Sequence, residues 1–173
     1  FVPENAEALV ADADVVVEGA DNLATKFLVA DAAYLGGRPS VHAGVVRWAG
    51  WALACVPGRS ACLRCLFEDL PRDRAETCAE AGVVGPLVGL LGALEASLLL
   101  RMLDGDAEVG GSVVHVDGLR GTMRRARVSR RAGCALCGAR VIRDLAAARY
   151  LADGCVADDN ARDPRGAPVV TSC

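Results

Sequence analysis

Two cysteine pairs of identical spacing constrain this chain more than any other feature: ACLRCL, with Cys62 and Cys65, and GCALCG, with Cys134 and Cys137. The 68 residues between the pairs would have to fold so that the chain returns to its own midpoint if all four sulfurs share one ion. Four thiolates are the ligand set of a closed tetrahedral zinc site. A redox dithiol is the competing reading of CxxC, but it needs one pair only, preferably at a helix N-terminus, and neither pair clearly begins a helix. The repetition favours the metal. Arg59, Arg64, Arg130, Arg131 and Arg140 crowd the pairs and would offset the negative charge of a tetrathiolate centre. Cys55 reads as core, and Cys155 and Cys173 as unpaired tail residues.

With 173 residues, 53% of them hydrophobic, the chain is long enough for one well-buried domain. Only 4% are aromatic, so Ala, Val and Leu must build the core. A formal charge of −3 gives no general attraction to nucleic acid or anionic membrane. Arg120, Arg124, Arg125, Arg127, Arg130 and Arg131 therefore read as a solvated strand face with neighbours in the cysteine loop. The first residues, FVPENAEALVADAD, carry acids where a secretory signal carries a basic end. The expected compartment is the cytoplasm, where cysteines serve metals or catalysis more often than disulfides. The most membrane-like stretch, 81–103, is interrupted by Gly85, Pro86, Gly89 and Gly92 and contains Glu95, so a buried core helix is expected there and no membrane span.

The order of elements is that of an α/β fold. DVVVE at 14–18 reads as a buried parallel strand, and Leu23, Phe27, Ala30 and Tyr34 give the following segment a helical period. A strand follows at 39–42. A hairpin of 45–48 and 51–56 is expected to turn at Ala49-Gly50. The apolar helix comes next, then strands 112–116 and 123–129. A short amphipathic helix is expected over 139–151, ahead of a polar, disordered tail, ADDNARDPRGAP.

Between the first strand and its helix stands GADN, at the strand end where open α/β sheets bind ligands. Asp21 and Asn22 have two readings there. Either residue can cap the helix, or Asp21 can hold a divalent cation while Asn22 bonds a nucleotide. Cys78, in TCAEAGVVGP, reads equally as an inert small hydrophobe or as a nucleophile. Glu76 and Glu80 flank it and would raise its thiol pKa.

Taken together, five segments resemble the ThiF/MoeB/HesA family of ubiquitin-activating-like adenylyltransferases. They are DVVVEGADNLATKFLVADAAYLGGRP, VHAGVVRWAGW, CLRCLF, TCAEAGVVGPLVGLLGALEASLLL and VVHVDGLRGTMRRARVSRRAGCALCG. They occur in one order over about 2–138. The resemblance implies the C-terminal part of a Rossmann-like fold with a mixed sheet and a four-cysteine zinc site at Cys62, Cys65, Cys134 and Cys137. It implies ATP-dependent adenylylation of the C-terminal carboxylate of a ubiquitin-like sulfur-carrier protein, with Mg2+, in the biosynthesis of a sulfur-bearing cofactor such as thiamin or molybdopterin. It makes Asp21 the acidic residue near metal and phosphates, with Asn22 and Lys26 as nucleotide-site neighbours. It makes Cys78 the cysteine that some members use to take the activated carrier covalently. A homodimer is also implied.

Several positions depart from that pattern. Lys26 stands where Arg is usual, Ala49 and Trp51 replace Glu and Gln, and His42, expected to be a satisfied core or crevice side chain, replaces a small residue. No GxGGxG phosphate loop occurs in the 173 residues, and GPLVGLLG at 85–92 lies inside the apolar helix with no strand before it. The expectation is therefore that 1–138 is the C-terminal portion of an adenylation domain and 139–173 a short helix and tail. It would expose an edge strand and an apolar face and be inactive alone. The alternative is a non-catalytic, zinc-stabilised binding or dimerisation module of the same family.

Overall fold

The computed structural model describes residues 1–71 and 81–150, together with the backbone of two strands in the tail. A five-stranded mixed sheet has the order β1-β2-β3-β4-β5. Its strands are β1 (Val16–Glu18), β2 (Ser40–Val46), β3 (Ala49–Cys55), β4 (Ser112–Asp117) and β5 (Thr122–Arg127). β1 pairs with β2 in parallel, and the rest form an antiparallel meander.

Side chains alternate across the sheet, and each face meets a different helix. Val41, Ala43, Ala52, Ala54, Val114 and Val116 form one core with Leu87, Leu91 and Leu98 of α4 (Gly85–Leu103). On the opposite face Leu53, Cys55 and Val113 pack with Ala30 of α2 (Leu23–Leu35). Beyond α2 lie α1 (Pro3–Ala11) and the segment reaching Tyr150. Ala6, Val10, Phe27, Leu28, Ala32, Leu145 and Tyr150 pack there.

Four expectations need correction. The hairpin turns at Arg47-Trp48, with Val46 opposite Ala49, and Arg47 has φ 53, which suits the tight two-residue turn. The strands expected at 39–42 and 45–48 are thus one strand. Gly50 lies inside β3, where a Cβ would collide with a Leu91 methyl. That glycine marks close approach of a helix, not a turn.

In place of the helix expected over 139–151, the described residues 139–150 are irregular and end in a 3-10 turn, Ala147–Tyr150. The tail holds an antiparallel pair, β6 (Ala157–Arg162) with β7 (Pro168–Val170). Finally, α4 buries only Leu87, Leu91, Glu95 and Leu98, a single stripe against the sheet. Val88, Leu90, Leu100 and Leu103 are exposed. By length and composition alone α4 is long and apolar enough to cross a membrane. Here one face of it closes the core. β1 is an edge strand, and its middle residue Val17 is half-exposed.

Two anchors bracket the undescribed 72–80. Arg64 of the short α3 (Leu63–Leu66) bonds the Glu68 carbonyl and the Asp69 carboxylate. The Arg47 backbone bonds Gly82 and Val84.

Candidate functional site

The chain turns sharply after β1. Glu18, its last residue, is buried, and the next residues climb to the surface through Gly19, Ala20 and Asp21 before Asn22 caps α2. The Asn22 Oδ1 accepts from the Thr25 N–H at 2.8 Å, so the capping reading of GADN is correct for Asn22. Asp21 is exposed and takes no hydrogen bond or ion pair among the described residues.

A sealed charge cluster lies under this turn. Glu18 Oε1 accepts the Ala20 N–H at 2.5 Å, and Oε2 accepts the Lys26 ammonium at 2.6 Å. Lys26 also donates to the Ala43 carbonyl of β2. His42, register partner of Glu18 on β2, is fully buried. Its Nδ1 lies 3.5 Å from Glu18 Oε2, an electrostatic contact too long for a well-formed hydrogen bond, and has no other partner. Its Nε2 meets Ser40 Oγ at 2.8 Å. Burial would raise the Glu18 carboxyl, but His42 and Lys26 together hold it below its ordinary value. Desolvation pulls the His42 imidazole below its own, against the attraction of Glu18.

The order Ser40, His42, Glu18 is that of a nucleophilic relay. Ser40 is only 3% exposed, however, and no substrate reaches its hydroxyl. The row is core, but His42 is not the satisfied side chain expected, since its Nδ1 lacks a hydrogen-bond partner among the described residues. Lys26 is likewise buried and already doubly bonded, so the residue expected beside a nucleotide sits beneath the turn. On the other face Glu95 is buried and its Oε1 has no partner; desolvation, with Glu18 nearby, pushes its carboxyl up to about 7.

The four cysteines do converge. Their sulfurs all lie within 4.8 Å of one another, and all four residues are buried. The Cys62–Cys134, Cys65–Cys137 and Cys62–Cys65 sulfurs are 3.6, 3.3 and 3.9 Å apart. Tetrahedral ligands at the zinc–sulfur bond length are separated by roughly 3.8 Å, so the cluster fits such an ion. Cys62 is the N-cap of α3, so the first pair does begin a helix, a one-turn one. Burial pushes the Cys62 thiol up. Cys134 is also desolvated, but the Cys137 and Leu136 amides at its sulfur outweigh that and bring it down to about 7. Four buried sulfurs cannot all ionise unless a cation compensates them.

Arg64, between the first two cysteines, turns away from the sulfurs. It forms a bidentate pair with Asp31 of α2, both fully buried, while Tyr150 donates to the same carboxylate at 2.9 Å. Sequence reasoning missed this staple and the Glu18 cluster. One signal was available for the latter: a charged residue closing an apolar strand, VVVEG. Cys78 lies outside the described residues.

Known proteins bear on this arrangement. The chain is 33% identical over 142 residues to the adenylyltransferase and sulfurtransferase MOCS3 of Dictyostelium discoideum, covering 80% of this chain and 33% of that protein. It is 34% identical over 130 residues to the sulfur carrier protein ThiS adenylyltransferase of Escherichia coli, covering 75% and 51% respectively. The chain thus spans a third to a half of the relatives it matches. Among solved structures, E. coli MccB with ATP superposes with a TM-score of 0.55 at 17% identity, over 72% of this chain and 39% of that one, a likeness of fold. The ThiF family profile matches residues 1–136, and the chain belongs to the ThiF family.

Proposed function

We propose that residues 1–138 form the C-terminal portion of a domain that adenylylates the C-terminal carboxylate of a ubiquitin-like sulfur-carrier protein. The observation that carries this reading is Asp21: an exposed carboxylate on the turn after β1, without a partner among the described residues, in a chain whose relatives are named adenylyltransferases. The carrier carboxylate attacks the α-phosphorus of ATP, a P–O bond forms to the acyl oxygen, and pyrophosphate leaves. Mg2+ would supply charge neutralisation on the phosphates. Asp21 would hold it, and the remaining donors of the Asn22 amide would face the nucleotide. Cys62, Cys65, Cys134 and Cys137 would hold zinc in a structural role, tying the 60–67 turn to the 130–138 turn. Cys78 is assigned the attack on the acyl-adenylate that gives a thioester and AMP. The exposed stripe of α4 and the β1 edge favour a homodimer.

Pyrophosphate exchange into ATP, with a ThiS-type carrier and a glycine-rich N-terminal segment of a relative supplied in trans, tests the reading. Exchange that vanishes in Asp21→Asn is the expected result. Carrier binding without exchange would instead establish the non-catalytic module.

A further inference from the structure

Asp21 is flanked by two fixed points. On one side the Ala20 N–H is bound to Glu18 Oε1 at 2.5 Å, and on the other the Asn22 side chain is bound to the Thr25 N–H. The first fixed point depends on charge. Glu18 is 2% exposed and Lys26 is 4% exposed, and their bond of 2.6 Å holds the carboxylate from which Ala20 hangs. The bond from Lys26 to the Ala43 carbonyl then ties the first turn of α2 to the middle of β2. One buried ion pair therefore joins four pieces: the β1 end, the turn, the helix start and the next strand.

Stability alone gives no reason for such a pair. Replacing a buried ion pair by apolar groups of similar volume is often neutral or stabilising. What an apolar pair cannot do is accept the Ala20 amide from below and leave the adjacent carboxylate free above. A carboxylate held in this way meets a cation without reorganising.

We propose that Glu18 and Lys26 are positioning residues. They lock the Gly19–Asn22 turn so that Asp21 is presented in one place, and the Lys26 cation acts through Glu18, not on a bound ligand. This rests on the reading of Asp21 as the metal- and phosphate-facing residue. The charged and titratable groups around the pair are His42 of β2, Asp31 of α2 and Glu95 of α4, with the Ser40 hydroxyl behind His42.

Amide hydrogen exchange on the 15N-labelled 173-residue chain tests the lock directly. Lys26→Met should speed exchange at Ala20 about tenfold relative to Val114 in the sheet, and Lys26→Arg should restore it. Should Lys26→Met unfold the chain, Glu18→Gln serves, because it fills the same space with a neutral, weaker acceptor; roughly threefold faster exchange at Ala20 is expected. Equal changes at Ala20 and Val114 in these variants would overturn the proposal.

Line broadening by Mn2+·ATP at residues 19–22 supplies the second readout. Broadening weakened by Lys26→Met, restored by Lys26→Arg and tracking Ala20 protection supports the lock. Broadening abolished by Lys26→Met while Ala20 stays protected would make Lys26 a ligand contact and overturn it. Broadening unaffected by Asp21→Asn would remove the reading of Asp21, leaving the lock to be judged on exchange.

Discussion

Two buried polar centres sit on the α2 side of the sheet, and they are built to different standards. Around Arg64 every guanidinium nitrogen is bonded: Asp31 receives the guanidinium in a fork, Tyr150 fills a further lone pair, and Asp69 and the Glu68 carbonyl take the Nη1 donors. Around Glu18 the matching is incomplete: His42 Nδ1 has only its 3.5 Å contact with Glu18 and, through the sheet, Glu95 Oε1 has no hydrogen bond among the described residues. A saturated network acts as a staple. An unsaturated one carries an uncompensated desolvation cost, and this one lies beneath the turn that carries Asp21.

If that contrast is sound, the staple should be the costlier one to cut. Asp31→Leu leaves the Arg64 guanidinium buried without its partner and should lower unfolding stability by about 3–5 kcal/mol in urea denaturation. A loss below about 1 kcal/mol would mean that the network is not structural. The unsaturated centre should respond in the opposite direction. In the folded chain the Glu95 carboxyl is raised from 4.5 to about 7, so the native state holds more protons than the unfolded one between those values. The native state therefore loses stability as pH climbs through that window, and the loss is complete above it. Glu95→Gln should gain on the order of 3 kcal/mol at about pH 8, shrinking toward zero near pH 4.5. A gain that does not depend on pH would show that packing, not charge, is responsible. The smallest expected effect sharpens the staple itself. Tyr150→Phe removes one hydrogen bond from a carboxylate that keeps its guanidinium, so about 1 kcal/mol should be lost.

Much of the architecture was legible because it is written in local signals. The two CxxC pairs, the apolar run that becomes β1, and the period through Leu23, Phe27, Ala30 and Tyr34 each state their own structure. What could not be read depends on neighbours distant in sequence. Gly50 looks like turn chemistry until Leu91, 41 positions later, is seen to occupy the space of its Cβ. The helical-looking 139–151 segment is taken up in packing Ile142 against the cysteine cluster and Leu145 and Tyr150 against α1 and α2. The apolarity of α4 promised burial, but hydropathy says nothing about how many faces a neighbour will cover. At the candidate site, GADN showed where a carboxylate would surface. The buried Glu18–Lys26 pair that holds it appears only when β1, α2 and β2 are assembled.

The two anchors around residues 72–80 have a consequence for how such a chain can diversify. With Asp69 tied to Arg64 and Gly82 tied to Arg47, the ends of this connection are fixed by the sheet and the cysteine turn, whatever its contents. The Arg47 anchor uses backbone atoms alone, so it survives a change of side chain there. The other anchor needs the Asp69 carboxylate itself, so sequence change is tolerated at the first and constrained at the second.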